Sequence, residues 1–281
     1  MEAVINFVVS LIRKYIIPYV DQPKEIYKHA ILVQTVPKSA ESLVSESQLD
    51  IKRLETFLLN RGYVVTMIGH SDTQSTGSSE NIELTFNEVS SLCEDKELCE
   101  LFVYVSSFGT GPKDTRSWPG FWKGDVSECE CMSTSDGISM TPGYLYELFN
   151  KFSSNSKILA LIDSTHNGQC PDLTYNLIGD HINSVIEEIQ NIPDIIPDVL
   201  MFSSCKDENQ EFSKYDVKDK KFYGLLTNAF LNTMEHISAD SGDLSVLTVL
   251  ELMRYNLIAY PQKTMVSSSK EDIIRGFVSC G

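Results

Sequence analysis

The feature that most constrains the fold is a set of five short, nearly continuous apolar runs. They cover residues 30–33, 64–68, 101–105, 158–162 and 199–202. Continuous rather than alternating hydrophobicity is typical of parallel strands that are covered on both faces. Strands that alternate with helices are joined by crossover connections, which build a mostly parallel sheet with helices on both sides. The sequence therefore predicts an α/β fold, a three-layer sandwich with a mainly parallel sheet.

The segments between and after these runs have the periodicity of amphipathic helices. We predict helices over residues 48–61, from Thr141 onward, and over 175–190, 225–237 and 245–255. Gly62 stands where glycine commonly ends a helix, and Thr141-Pro142 combines an N-cap residue with a proline at the first helical position. Residues 71–81 and 110–140 are rich in Gly, Ser and Thr or in Gly and Pro, and we expect long loops there.

The first 28 residues stand apart from this pattern. One helical face is apolar, formed by Val4, Phe7, Val8, Leu11 and Tyr15. We therefore predict an N-terminal amphipathic helix or extension over residues 1–28 and a single domain over 29–281. Arg13 and Lys14 interrupt the apolar run, which is too short to cross a bilayer. Packing on the domain is the first expectation, and peripheral contact with a membrane surface is the alternative.

Composition narrows the classes of partner. The net charge is −16, whereas a nucleic-acid-binding protein needs a basic face to displace counterions from phosphates, so nucleic acid is not an expected partner. The seven cysteines lack the paired spacing of a small secreted scaffold, which favours a cytoplasmic location. Hydrophobic residues make up 42% of the chain, enough for a packed core.

Polar motifs follow three of the predicted strands, at the sheet edge where α/β proteins bind ligands. They are residues 105–110 (VSSFGT), 163–169 (DSTHNGQ) and 203–210 (SSCKDENQ). In composition and order these motifs resemble those of the metacaspases, which are caspase-like cysteine peptidases. The resemblance extends from about residue 29 to 278 and implies the caspase-like fold.

Two positions depart from the family pattern. The resemblance implies that Phe108 stands where the catalytic histidine would be, and Thr165 where the nucleophilic cysteine would be. A phenylalanine can neither accept nor donate a proton, and a threonine hydroxyl is a far weaker nucleophile than a thiolate. We therefore expect a catalytically inactive homologue with a binding or regulatory role. Its expected partner is a basic peptide segment or an active metacaspase relative.

The resemblance also implies a pocket for a Lys or Arg side chain. Asp50, Ser106 and Asp163 match acidic and hydroxyl residues that line this pocket in the family, while Ser47 replaces a cysteine. Two carboxylates that face one cavity favour a guanidinium or ammonium group through charge-assisted hydrogen bonds. The alternative is that Asp163 caps a turn and Asp50 is a solvated acid near a helix start.

Calcium is the only cofactor that the resemblance suggests. Asp172 matches an aspartate near the site of calcium-activated metacaspases, and Asp125, Glu128 and Glu130 lie in the long loop before it. Calcium requires six to eight oxygen ligands, and an acidic run is more often a solvated surface. A calcium-responsive structural module is therefore one alternative function.

A second alternative keeps the chain in the enzyme class. It is an endopeptidase that cleaves after Arg or Lys with a non-standard nucleophile, either Thr165 itself or a nearby cysteine such as Cys170. Cys205 matches a family position that is not the nucleophile, and His166 matches a histidine that accompanies the catalytic cysteine.

Overall fold

A computed structural model gives the fold of most of the chain. It describes residues 26–35, 44–71, 73, 75–110, 131–140, 142–165, 173–178, 184–189, 192, 194–205, 213–216, 221–237, 245–260 and 263–278. The amphipathic helix predicted within residues 1–28 lies outside this part, except that residues 26–28 already belong to the first strand.

The elements alternate in the order expected of an α/β protein. The strands are β1 (Ile26–Thr35), β2 (Val64–Ile68), β3 (Leu98–Thr110), β4 (Cys131–Ser133), β5 (Ser139–Met140), β6 (Ser156–Thr165), β7 (Tyr175–Ile178), β8 (Val185–Glu188), β9 (Asp198–Cys205), β10 (Ser213–Asp216), β11 (Lys221–Gly224) and β12 (Lys263–Ser268). The helices are α1 (Val44–Leu59), α2 (Ser79–Glu94), α3 (Pro142–Phe149), α4 (Leu225–Ile237), α5 (Val246–Asn256) and α6 (Glu271–Val278).

The central sheet is mainly parallel, as predicted. Its strand order is β2-β1-β3-β6-β9-β12-β7-β8, and the first five strands run parallel to one another. Each of these five contains one of the apolar runs. The last three strands pair in antiparallel fashion, β12 with β9, β7 with β12 and β8 with β7. Two small antiparallel pairs, β4 with β5 and β10 with β11, lie outside this order.

Both faces of the sheet are covered, which explains the continuous hydrophobicity of the runs. Ala30 and Leu32 pack in one core with apolar residues of α1, α4, α5 and α6. Ile31 and Val33 point the other way, into a core with α2 and α3. Because successive strand residues face opposite sides, a strand buried on both sides must be apolar throughout. The arrangement is a three-layer α/β sandwich, as predicted.

One predicted helix is wrong. Residues 175–190 contain the antiparallel strands β7 and β8, with Leu177 opposite Ile186. Leu177 is buried in the core, whereas Ile178 beside it is exposed. Gly179-Asp180, in the middle of the segment, is a turn signal in the sequence and argues against one continuous helix.

The two predicted loops also need correction in part. α2 begins at Ser79, inside the predicted loop 71–81, and was not predicted. Its N-terminus is fixed by Asp136, which accepts hydrogen bonds from the backbone N–H and the hydroxyl of Ser79. Asp136 lies between β4 and β5, which form a small hairpin within the predicted loop 110–140. The helix predicted from Thr141 is confirmed as α3, with Pro142 as its first residue.

The described residues include no helix that is long and apolar enough to span a bilayer.

Candidate functional site

The carboxyl ends of β3 and β6 bring the two central motifs side by side. Phe108 pairs in register with Thr165, and Ser106 pairs with Asp163. In each strand these two residues are two positions apart, so they share one face of the sheet. The backbone therefore places the two positions identified from separate motifs directly opposite each other. The side chains of Phe108 and Thr165 lie outside the described part of the structure.

Asp163 is a buried carboxylate held by the first turn of α4. Its Oδ2 accepts hydrogen bonds from the Thr227 backbone N–H at 2.9 Å and the Thr227 hydroxyl at 2.6 Å. Its Oδ1 is also buried and accepts no hydrogen bond from the described residues. Burial raises the pKa of Asp163 to about 6, although the hydrogen bonds from Thr227 act in the opposite direction. The carboxylate thus has one oxygen engaged and one available.

Asp50 approaches the same place from α1. It is buried, and its Oδ2 accepts a hydrogen bond of 2.6 Å from the backbone N–H of Gly224, the last residue of β11. Its Oδ1 lies 4.0 Å from Nη1 of Arg53, one turn later in the helix. Asp50 is therefore an acid inside the domain rather than the solvated helix residue of the alternative interpretation.

Gly224 marks the point where the two carboxylates converge. A Cβ atom at this position would stand 2.6 Å from Asp163 Oδ2 and 2.7 Å from Asp50 Oδ2. Both distances are well inside van der Waals contact, so a residue with a side chain fits here only if the carboxylates move. The absence of a side chain at Gly224 is what allows the backbone to enter between the two acids.

The hydroxyl groups of Thr227 and Tyr104 extend from the carboxylate of Asp163 toward β3, which also carries Ser106. The Thr227 hydroxyl donates its one proton to Asp163, so the Tyr104 hydroxyl, 3.0 Å from Thr227 Oγ1, must donate to Thr227. Ser106 lies two residues after Tyr104 on β3, is buried, and pairs in register with Asp163. Burial, with the charges of Asp163 and Asp50, raises the pKa of Tyr104 well above its usual range, which keeps the phenol protonated as a donor.

The structure thus brings together three of the four predicted pocket residues. All three are buried: Asp50 accepts a hydrogen bond from Gly224, Asp163 accepts from Thr227, and Ser106 pairs in register with Asp163. Ser47 lies one turn before Asp50 in α1, and its side chain is not among those described. The sequence analysis did not identify Tyr104, Gly224 or Thr227. A glycine at a strand-to-helix junction with a threonine three residues later was the available signal.

The predicted calcium ligands cannot be placed. Asp125, Glu128, Glu130 and Asp172 lie outside the described residues, as do His166 and Cys170. Within the described ranges, no group of three or more His, Cys, Asp or Glu side chains is arranged to hold a metal. The Asp50–Asp163 pair alone offers too few oxygens for calcium, because one oxygen of each acid already accepts hydrogen bonds from the protein.

The arrangement is suited to attracting a cation. Two buried carboxylates lie close together, and Asp163 Oδ1 retains an unused acceptor. At the paired positions above them, phenylalanine and threonine supply neither a thiolate nor an imidazole. At this place in the domain the described side chains supply carboxylate and hydroxyl groups, and neither a thiol nor an imidazole.

Comparisons with known proteins identify the family and the fold of the chain. Residues 29–273 match the family model described as the caspase domain. No curated protein matches the chain. The crystal structure of protein GSU0716 from Geobacter sulfurreducens is similar, with 14% identity, a TM-score of 0.59, and coverage of 88% of this chain and 96% of that one. Caspase-1 from Spodoptera frugiperda aligns at 14% identity over 90% of this chain and 89% of its own, with a TM-score of 0.49.

Proposed function

The chain belongs to the caspase family, and from that premise we propose that it is a catalytically inactive, metacaspase-like member that binds Lys or Arg side chains. The observation that carries the proposal is the convergence of Asp50 and Asp163 at Gly224, with Asp163 Oδ1 left unengaged. A guanidinium or ammonium group is the guest whose charge and donors complement this pair. The proposed partner is a basic peptide segment or an active metacaspase relative, with which this chain pairs and for whose substrate it competes.

The paired positions support the inactive part of the proposal. A caspase-type reaction requires a thiolate and an imidazole at adjacent strand ends. Phe108 and Thr165 are register partners at those ends, so both positions needed for the reaction carry side chains that cannot perform it. Because both positions are replaced, the chain retains neither the thiol nucleophile nor the imidazole of a caspase-type reaction.

Hydrolysis of fluorogenic peptides that end in Arg or Lys tests the loss of chemistry. We expect no cleavage by the natural chain, with or without calcium, and cleavage by the double variant Phe108→His with Thr165→Cys. The matched control is Phe108→His with Ser164→Cys. Ser164 is adjacent to Thr165, and its place in the strand turns its side chain to the opposite face of the sheet, so this thiol should give no activity.

The other outcomes are equally informative. Cleavage by the natural chain that disappears in Thr165→Ala would overturn the proposal in favour of a peptidase with an unusual nucleophile. A calcium-dependent rise in melting temperature without affinity for basic peptides would favour a structural module.

Binding is measured separately, because a binder need not cleave. An Arg-ending peptide is titrated against the same peptide ending in citrulline, which keeps the shape and removes the charge. We expect the Arg peptide to bind more tightly, and Asp163→Asn to weaken it on the order of tenfold. Asp95→Asn, at an exposed turn, is the control. Equal binding of both peptides would contradict the proposal.

A further inference from the structure

A pair of cysteines lies at the edge of the sheet opposite the candidate site. Cys93 is in the last turn of α2, and Cys99 is the second residue of β3, so only a short turn separates them. Both are free and buried. Cys99 Sγ lies 3.6 Å from the Cys93 carbonyl oxygen, to which it donates, so the sulfur of one cysteine contacts the backbone of the other.

The turn between them is held by the protein independently of the thiols. The Cys93 carbonyl oxygen accepts from the backbone N–H of Asp95 and of Lys96 and from the amide of Asn155. The Cys99 N–H donates to the Asn155 carbonyl oxygen at 3.0 Å. These bonds fix the turn that joins the two cysteines and hold the Cys99 sulfur beside the backbone of Cys93. Residues 94–97, which join the two buried cysteines, are exposed, so the turn itself lies at the surface.

The two thiols are electrostatically unequal. The hydrogen bond with Cys99, followed by burial, raises the pKa of Cys93. The hydrogen bond from Cys93 lowers the pKa of Cys99, and the charge of Lys96 acts in the same direction. Because the thiolate is the reactive form of cysteine, Cys99 is the group that attacks first and Cys93 the group that resolves.

We infer that Cys93 and Cys99 form a reversible dithiol–disulfide site that exchanges with small disulfides of the glutathione class. The Cys99 thiolate attacks one sulfur of the oxidised reagent, which forms a mixed disulfide and releases one reagent thiolate. Cys93 then loses its proton and attacks Cys99 Sγ, which releases the second reagent thiolate. Two cysteine thiols are oxidised by two electrons, and one reagent disulfide is reduced to two thiols.

The sequence provides an assay that is specific to this pair. Trypsin cuts after Arg61, Lys96 and Lys113, so Cys93 and Cys99 fall in separate peptides, 62–96 and 97–113, each with a single cysteine. The folded chain is equilibrated in mixtures of reduced and oxidised glutathione, its free thiols are blocked with an alkylating reagent, and the chain is digested. We expect the linked peptide pair under oxidising conditions and its disappearance after treatment with dithiothreitol.

Single variants test the order of attack. Cys93→Ser should accumulate glutathione on Cys99, because the resolving thiol is missing. Cys99→Ser should react with oxidised glutathione more slowly than Cys93→Ser, because burial still raises the pKa of the remaining Cys93 thiol. The inference is overturned if no linked pair forms in the folded chain, or if it forms only after unfolding in guanidinium. Retained binding of the Arg-ending peptide in the oxidised chain is a separate readout, since the site lies at the other end of β3.

Discussion

The backbone N–H of Gly224 donates to Asp50 Oδ2 over 2.6 Å, and this bond ties the end of β11 to α1 across the domain. The same junction leads directly into α4, whose Thr227 holds Asp163. One turn of backbone therefore positions both carboxylates. Their relative placement depends on this junction as much as on the strands and helix that carry them.

Gly224→Ala should disturb both carboxylates at once. The added methyl group would stand 2.6 and 2.7 Å from the two Oδ2 atoms, and because both acids are buried they have little room to move. We expect a loss of about 1–3 kcal/mol in the free energy of unfolding and weaker binding of the Arg-ending peptide. Urea unfolding measures the first effect. In an Asp163→Ala background the same substitution should cost less, and strictly additive losses would refute the steric explanation.

Asp163 should make the protein less stable as the pH rises from about 4 to 6. Its pKa is raised by burial from 3.8 to about 6, so in this interval the folded chain binds more protons than the unfolded chain. The free energy of unfolding therefore falls through this window, by about 3 kcal/mol for this group alone. Asp163→Asn should remove the slope and be no less stable at pH 7. The measurement is urea unfolding from pH 3.5 to 7, with exposed Asp95→Asn as the control.

His29 should make the free energy of unfolding rise with pH between about 4 and 6.5, which is the opposite of the effect of Asp163. It is buried, and desolvation lowers its pKa to about 4. The unfolded chain therefore binds more protons between pH 4 and 6.5, and the stability that depends on neutral His29 is lost as the pH falls. In urea unfolding, the free energy of unfolding of the natural chain should exceed that of His29→Gln by the largest amount above pH 6.5. This difference should become smaller toward pH 4. A constant difference across the titration would contradict this assignment.

A row of alternating charges crosses the sheet at the amino ends of the strands. Lys28, Glu100, Lys157 and Asp198 are successive register partners on β1, β3, β6 and β9. Lys28 Nζ lies 3.3 Å from Glu100 Oε2, and Lys157 Nζ lies 3.9 Å from Asp198 Oδ2. Glu100 is the most deeply buried member, with 3% of its side chain exposed. It separates two cations that would otherwise face each other.

Glu100→Gln should therefore destabilise the domain by about 1–3 kcal/mol, because it leaves two lysines in a largely buried row without the anion between them. Lys270→Gln is the matched control. Lys270 also pairs with Asp198, but half of its side chain is exposed, so its loss should cost less than about 1 kcal/mol. Thermal unfolding of both variants at low and high salt gives the comparison. Equal losses of stability in Glu100→Gln and Lys270→Gln would show that burial does not determine how much these charged residues stabilise the domain.

The sequence predicted the parts of the fold that depend on local pattern. All five continuous apolar runs are neighbouring parallel strands, because a strand covered on both faces leaves a signal that does not depend on its partners. The β7–β8 hairpin was mistaken for a helix because one short strand with a single buried face resembles a helical stripe. Its sheet position depends on β12, which lies more than 80 residues away in the chain.

The candidate site divides in the same way. Asp50 and Asp163 were selected by resemblance to a family, and the structure brings them together, while their role in holding a basic guest stays a prediction. Gly224 and Thr227 were not predicted, because a glycine and a threonine near a helix start are common and only the packing shows that Gly224 leaves space and that Thr227 donates to Asp163. Tyr104 was predicted only as an apolar residue of a strand. Its hydroxyl contacts Thr227 because α4 packs against β3, which the sequence pattern does not show.

The insertion of β12 between β9 and β7 has a consequence for synthesis on the ribosome. Residues 175–188 emerge long before residues 263–268, yet β7 reaches the sheet only through β12. At a synthesis rate of about 5–20 residues per second, β12 is made on the order of ten seconds after the β7–β8 hairpin that it joins to the sheet. Throughout that interval the β9 edge and the β7 edge both lack their neighbour. A nascent chain halted before residue 263 therefore exposes two open strands, which makes it a natural client for chaperones that shield such edges.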